Sequence, residues 1–413
     1  METSMNIMAK LLMVITLFLA GQYAYADETL NEAFVEAAAD NNIQLVSELL
    51  NKGAEIDFRI KRLDYKRSGE PAFKQLKDYP RSPALGDTAL IAALMAHRRP
   101  GERPNMLPMI QFLISRHADV NGLHGGWGRN ALTIAARHWR PHPEVVKVLL
   151  AAGARVDATF LFNFTALHTL LDVRGTWRFD EPDFVIRRLA VAEQLCRAGT
   201  NLMAREYSGL TPLHMVAQIG DPHLAALLVF HGAHLGGADL AAEELGRDGP
   251  PKWASLNTTP VGLALLEQHR REFEPDNPPA RRADMQRTIE LLRNPARARQ
   301  FGEALVAGLR AAESLNYSAQ AMELVAALMA SLGAEPVPGD SSKAKETLHG
   351  DLQLKKLEAL VDAERAKQCK ASTTETKSPA TTVIAPASSP SSCSSPDAGA
   401  GVARSEPSSS SSS

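Results

Sequence analysis

Gly209-Leu-Thr-Pro-Leu-His214-Met-Val-Ala217, followed by Gly220-Asp221, Leu224-Ala-Ala-Leu-Leu-Val229 and His231-Gly232-Ala233, is the stretch on which the fold turns. Thr211 stands where a helix start wants a capping hydroxyl, and Pro212 fits the first turn, where a missing N–H costs nothing. Leu213, His214, Val216 and Ala217 then make one short helix, and the Leu/Val run makes a second. Gly232 can adopt the left-handed conformation that ends it. Neither helix is long enough to bury an apolar face alone, so the pair needs neighbours.

The same pattern recurs along the chain. Asn130-Ala-Leu-Thr-Ile-Ala-Ala136 precedes Glu144-Val-Val-Lys-Val-Leu-Leu150 and Gly153-Ala154-Arg155-Val156-Asp157. Gly86-Asp-Thr-Ala-Leu-Ile-Ala-Ala93, with Thr88 and Leu90 in the motif places, precedes Met109-Ile-Gln-Phe-Leu-Ile114 and His117-Ala118-Asp119-Val120-Asn121. Asn163-Phe-Thr-Ala-Leu-His168 supplies Thr165, Leu167 and His168, and precedes Ala190-Val-Ala-Glu-Gln-Leu195 and Gly199. An amino-terminal copy opens directly in a helix at Leu30 and closes at Gly53-Ala54. A degenerate last copy runs from Thr259 to Leu292. Leu132 fills the leucine place of the copy that ends at Gly153.

Thr-Pro-Leu-His together with the Gly-Ala ending resembles the ankyrin repeat, over roughly Leu30 to Arg293. The resemblance implies an all-α solenoid of about five to six helix-turn-helix repeats. It also implies protein–protein contacts without a cofactor, and histidines at 168 and 214 that bond within and between repeats. Such arrays are stabilised by nearest-neighbour stacking. The spacing from Gly199 to Gly232 is the regular 33 residues, the period of the family. Other copies carry insertions in two places. Phe58–Leu85 enlarges the finger between the first two copies. His97–Pro108, Arg137–Pro143 and Val173–Asp183 enlarge the turn between helices in three successive copies, and should lie along one edge.

The flanks differ from the array. Leu11–Ala20 is an uncharged apolar run of ten residues after Lys10, and Ala24-Tyr25-Ala26 fits a signal-peptidase site. A spanning helix needs about 20 apolar residues, so residues 1–26 read as a cleaved export signal, with an uncleaved anchor as the rival. The repeat domain would then cover 27–293. Residues 294–370 read as helices capping the open end of the solenoid, and 371–413 as a disordered Ser/Pro/Thr-rich tail.

Composition agrees. The chain has 413 residues, 45% hydrophobic and 6% aromatic, which suits close-packed Ala/Leu helices and excludes wholesale disorder. Three cysteines make no disulfide framework, and a net charge of −2 gives no general pull toward nucleic acid.

Chemistry finds little purchase. His138 and His142 are separated by Pro141, which argues against a helical metal pair. Cys196 occupies a core place. Asn163, Asn257 and Asn316 head glycosylation sequons, and Asn163 also reads as a helix cap. The sequence has no G-x-S-x-G, H-E-x-x-H, P-loop or Rossmann glycine pattern. No catalytic, metal-binding or cofactor-binding residue is expected.

Two non-catalytic constellations stand out. The finger insertion Phe58–Leu85 carries eight basic residues against three acidic, among them Arg59, Arg62 and Arg67, interleaved with Phe58, Tyr65, Phe73 and Tyr79. The helix-turn insertions hold Arg98 and Arg99, then Trp139 and Arg140, then Trp177 and Arg178, residue types enriched in binding hot spots. Mobile, solvated loops remain the plain alternative for both. The expectation is an exported, periplasmic or secreted, non-enzymatic scaffold for a protein partner. It takes no nucleic acid and no membrane after signal cleavage, and a monomer is favoured. A secreted effector or toxin-neutralising protein is the alternative, and an enzyme in the carboxy-terminal helices a third.

Overall fold

The computed structural model describes residues 28–60, 86–95, 105–123, 128–136, 141–172, 182–233, 259–272, 279–333 and 344–375. No strand occurs among them, only isolated bridges such as Phe160–Phe164. Six helix pairs follow in chain order. They are α1 (28–39) with α2 (Ile43–Asn51), α3 (Ala89–Met95) with α4 (Leu107–Ser115), and α5 (Ala131–Ala136) with α6 (Pro143–Ala151). Then come α7 (Ala166–Leu171) with α8 (Pro182–Arg197), α9 (Pro212–Ile219) with α10 (Pro222–Phe230), and α11 (Pro260–Glu272) with α12 (Pro279–Arg293). Three longer helices complete the order: α13 (Pro295–Ser314), α14 (Ala319–Gly333) and α15 (Ala344–Glu375).

The boundaries follow from local chemistry. A proline occupies the first or second position of α4, α6, α9, α10 and α13, where its fixed φ is already helical. Thr165 and Thr211 cap α7 and α9, each closing a reciprocal box with the histidine three residues on. Gly53, Gly153, Gly199 and Gly232 carry φ of 100°, 84°, 85° and 94°. His117 takes the same left-handed turn at φ 67°, in the place where the other copies use glycine.

The pairs stack in two rows. First helices α3, α5, α7, α9 and α11 each pack on the next, as do second helices α4, α6, α8, α10 and α12. One apolar core threads both, from Phe34 and Val46 through Leu90, Leu132, Leu167 and Leu213 to Leu292 and Leu305. The chain divides into two units, Met1–Glu364 and Arg365–Ser413. The described part of the second is the end of α15, which continues to Glu375 and so takes in the first five residues of the expected tail.

α13 and α14 lie against the second helices of the array, on its side. α13 turns back after Asn294 and packs chiefly on α10, and also on α8. Gly302 sets the approach: a Cβ there would lie 2.5 Å from the Ala226 carbonyl oxygen. The reason lies in α10, whose residues Leu224 to Val229 are buried without a break. A helix apolar all round must be covered all round.

Ion pairs then fix the far end of α13. Glu193 on α8 receives Arg310 at 2.8 Å and also holds His231. Glu313 receives Arg197 at 3.0 Å and Lys147 at 3.1 Å. Burial alone would raise the Glu313 carboxyl, but hydrogen bonds from Arg197 and Lys147 prevail and hold it below its ordinary value. Gln194 donates to the Tyr317 hydroxyl at 3.1 Å, and burial, with Glu313 nearby, pushes that phenol up.

Candidate interaction surface

In the inner row, α3, α5 and α7 leave little to touch. Every residue of α5 and α7, and α3 from Ala89 to Leu94, is buried, so in these repeats a concave helix face is not open to a partner. What remains is the row of fingers between pairs, and a regular ladder stiffens it. The residue four places after each finger glycine accepts from the backbone two places after the next one. Asp57 takes the Asp119 N–H at 2.8 Å, Asn121 the Arg155 N–H at 2.8 Å, and Asp157 the Asn201 N–H at 2.9 Å. Thr200 adds a hydroxyl to Asp157 at 2.9 Å. At the next step the place belongs to Met203, a thioether exposed to solvent, and the pattern stops.

The finger after Gly153 is aromatic. Phe160, Phe162 and Phe164 lie within five residues, and the chain turns tightly through Leu161–Asn163. Phe162 and Asn163 are both left-handed, at φ 63° and 59°. That conformation is strained for a bulky residue, and two bonds from the neighbouring finger hold it. The Tyr207 N–H donates to the Phe162 carbonyl at 2.9 Å, and Asn163 Nδ2 donates to the Arg205 carbonyl at 2.6 Å. Asn163 is therefore a finger-turn residue; Thr165 is the cap, which corrects the capping role expected of Asn163.

The side chains form an aromatic ladder from core to tip. His168 stacks on Phe164 with centroids 5.9 Å apart, Phe164 meets Phe162 at 6.4 Å, and Phe162 meets Tyr207 at 4.9 Å. The inner end is dry: His168 is fully buried, and desolvation lowers its pKa to about 4 against a partial rise from the Leu210 and Ala204 backbones. The outer end is open, with Phe162 52% and Tyr207 55% exposed. Leu123, Leu161 and Met203 are exposed on the same series of fingers. These five are most of the nine large apolar side chains exposed among the described residues, so open apolar surface concentrates there.

Several expected residues fall elsewhere. Arg59 lies at the base of the first finger and donates to the Leu123 carbonyl at 2.8 Å. Phe58 and Ile60 beside it are buried, so Phe58 belongs to the core and not to an exposed aromatic series. Arg62, Tyr65, Arg67, Arg98, Arg99, Trp139, Arg140, Trp177 and Arg178 lie outside the described residues. The motif places Thr88, Leu90, Leu132, Thr165, Leu167, Thr211, Pro212, Leu213 and His214 are all buried. His214 bonds to Thr211 at 2.7 Å, as His168 does to Thr165 at 2.8 Å. Cys196 is buried, and desolvation pushes its thiol up, away from nucleophilic use. Among the described residues no group of three His, Cys, Asp or Glu side chains is placed to hold a metal ion. No described helix is long and apolar enough to cross a membrane.

A family model for ankyrin repeats in three copies matches residues 6–160, and one for a single ankyrin repeat matches residues 208–240. The chain carries ankyrin repeats. No curated protein matches it. The phenylalanine finger and the fourth helix pair fall largely between the two matched stretches, yet α7 and α8 pack as the other ankyrin pairs do. Ankyrin repeats are in general interaction modules, so their partners are proteins.

Proposed function

We propose that this chain is an exported, non-enzymatic scaffold that holds a protein partner on its finger row, with Phe162 and Tyr207 as the anchor. The observation that carries the reading is the pair itself. Two large aromatic side chains stand more than half exposed, 4.9 Å apart, on a backbone locked by two inter-finger bonds. Aromatic anchors already rigid before binding lose little entropy on docking. The basic insertion adds a second arm. Its ends are closed by the Gly86 N–H to the Ile60 carbonyl at 2.8 Å and the Ile60 N–H to the Asp87 carbonyl at 3.2 Å. Residues 61–85 can thus be replaced by a two-residue turn without opening the core. Export rests on the leader: a ten-residue apolar run ending near Ala24-Tyr25-Ala26, short of a spanning helix.

The test is affinity capture with the chain from Asp27, in three forms: unaltered, Phe162→Ala/Tyr207→Ala, and lacking 61–85. The double substitution is expected to abolish capture of a partner held by the unaltered chain, with its helical circular dichroism retained. Equal recovery of that partner by both forms would remove the fingertip from the reading. For export, protein recovered from the periplasm of an expressing bacterium should begin at Asp27.

A further inference from the structure

α12 and α13 meet at a corner whose positive charge is carried by arginine alone. Residues 279–299 contain six arginines against two carboxylates, and no lysine occurs between Lys252 and Lys343. Asp284 is taken by Arg287 at 3.4 Å, and Glu290 accepts from Gln286 at 3.1 Å. Among the described residues Arg282, Arg293, Arg297 and Arg299 have no such partner, and Arg282, Arg293 and Arg299 are exposed. Three of them, Arg282, Arg297 and Arg299, also sit against the local electrostatics, whereas Arg293 closes the last turn of α12. Arg282 lies in the first turn of α12, and Arg297 and Arg299 near the start of α13. Neither helix has an acidic residue in its first turn. The dipole of each helix disfavours cations there, so these guanidiniums cost stability where they stand. Unrelieved violations of a local rule mark places selected for something other than folding.

We infer that this arginine corner docks an acidic segment of a protein partner. The inference rests on the protein-binding reading and adds a second surface to it, with its own chemistry. Guanidinium is the cation suited to two-pronged bonding of carboxylates, and an all-arginine set on rigid helices presents that geometry repeatedly. An anionic membrane is a poorer fit. No large apolar side chain is exposed on α12 or α13 among the described residues, so there is no wedge to enter lipid. Single-stranded nucleic acid fares no better, since the same faces expose no aromatic ring for base stacking.

The experiment measures fluorescence anisotropy of labelled deca-glutamate with the chain from Asp27, at low and at moderate salt. Arg282→Gln/Arg297→Gln/Arg299→Gln is compared with the unaltered chain and with Arg116→Gln on the second repeat as control. The triple variant is expected to bind at least about tenfold more weakly, the control as the unaltered chain, and all binding to weaken with salt. The triple variant should also melt no lower than the unaltered chain, because it removes cations from a helix start. Undiminished binding by the triple variant overturns the inference. So does a lowered melting point, which makes the arginines structural, or tighter binding of anionic vesicles or of a single-stranded oligonucleotide. Failure here with loss of capture by Phe162→Ala/Tyr207→Ala leaves the fingertip reading standing. The reverse pattern removes that reading and keeps the arginine corner.

Discussion

His168 joins folding to chemistry through one ring. It closes the cap of α7, stacks on Phe164, and is held neutral by burial at a pKa of about 4. In the unfolded chain a histidine titrates near 6.5. Between those values the unfolded state binds the proton and the native state does not. Stability is therefore full above about pH 6.5 and falls as pH drops toward 4. The loss is on the order of 3 kcal/mol. Urea denaturation at a series of pH values should show this slope, and His168→Asn should flatten it; an unchanged slope refutes the assignment. Thr165, His168, Thr211 and His214 were legible in the sequence because capping is a three-residue affair. Asn163 was not, since its left-handed backbone depends on Tyr207 and Arg205, some forty residues away. The open pair Phe162–Tyr207 was missed for a related reason. Three phenylalanines in five residues were the signal, but the motif reading passed over them to reach Thr165.

At the scale of elements, the short helices and their order were legible because each carries its own start and stop. The placement of α13 was not, because its partners are distant: Glu313 meets Arg197 across 116 residues and Gln194 meets Tyr317 across 123. A signal did exist in α10, whose Leu224–Val229 run has no polar face and so requires a cover on both sides. The ion pairs that finish the docking have a testable weight. Glu313 is nearly buried while Arg197 is 43% exposed, so solvent screens part of the attraction. A double-mutant cycle of Arg197→Ala and Glu313→Ala should give a coupling of about 1 kcal/mol. Because Glu313 is held below its ordinary pKa, this contribution is present at neutral pH and disappears as acid protonates it. A coupling of zero at neutral pH would make the pair incidental to how α13 is held.

For Met1–Glu364 taken as one body, the side-on position of α13 decides how far the repeats can stand alone. Phe301, Leu305, Val306 and Leu309 are buried in the same core as Leu224, Leu227 and Leu228 of α10. Burying a large apolar side chain contributes about 1.5–3 kcal/mol, so four of them contribute an amount comparable with the ~5–15 kcal/mol net stability of a folded protein. A chain ending at Arg293 keeps all six helix pairs and loses that cover. It should bind a hydrophobic dye, associate on standing and melt well below the full chain, whereas one ending at Glu375 should match the full chain. The difference separates an ankyrin array with an optional appendage from one whose fifth repeat is completed by the helix that follows the sixth. If the Arg293 form melts within about 2 °C of the full chain, a shift worth only about 1 kcal/mol at this size, α13 adds little to the array. The unbroken apolar surface of α10 would then have to be buried by some other route.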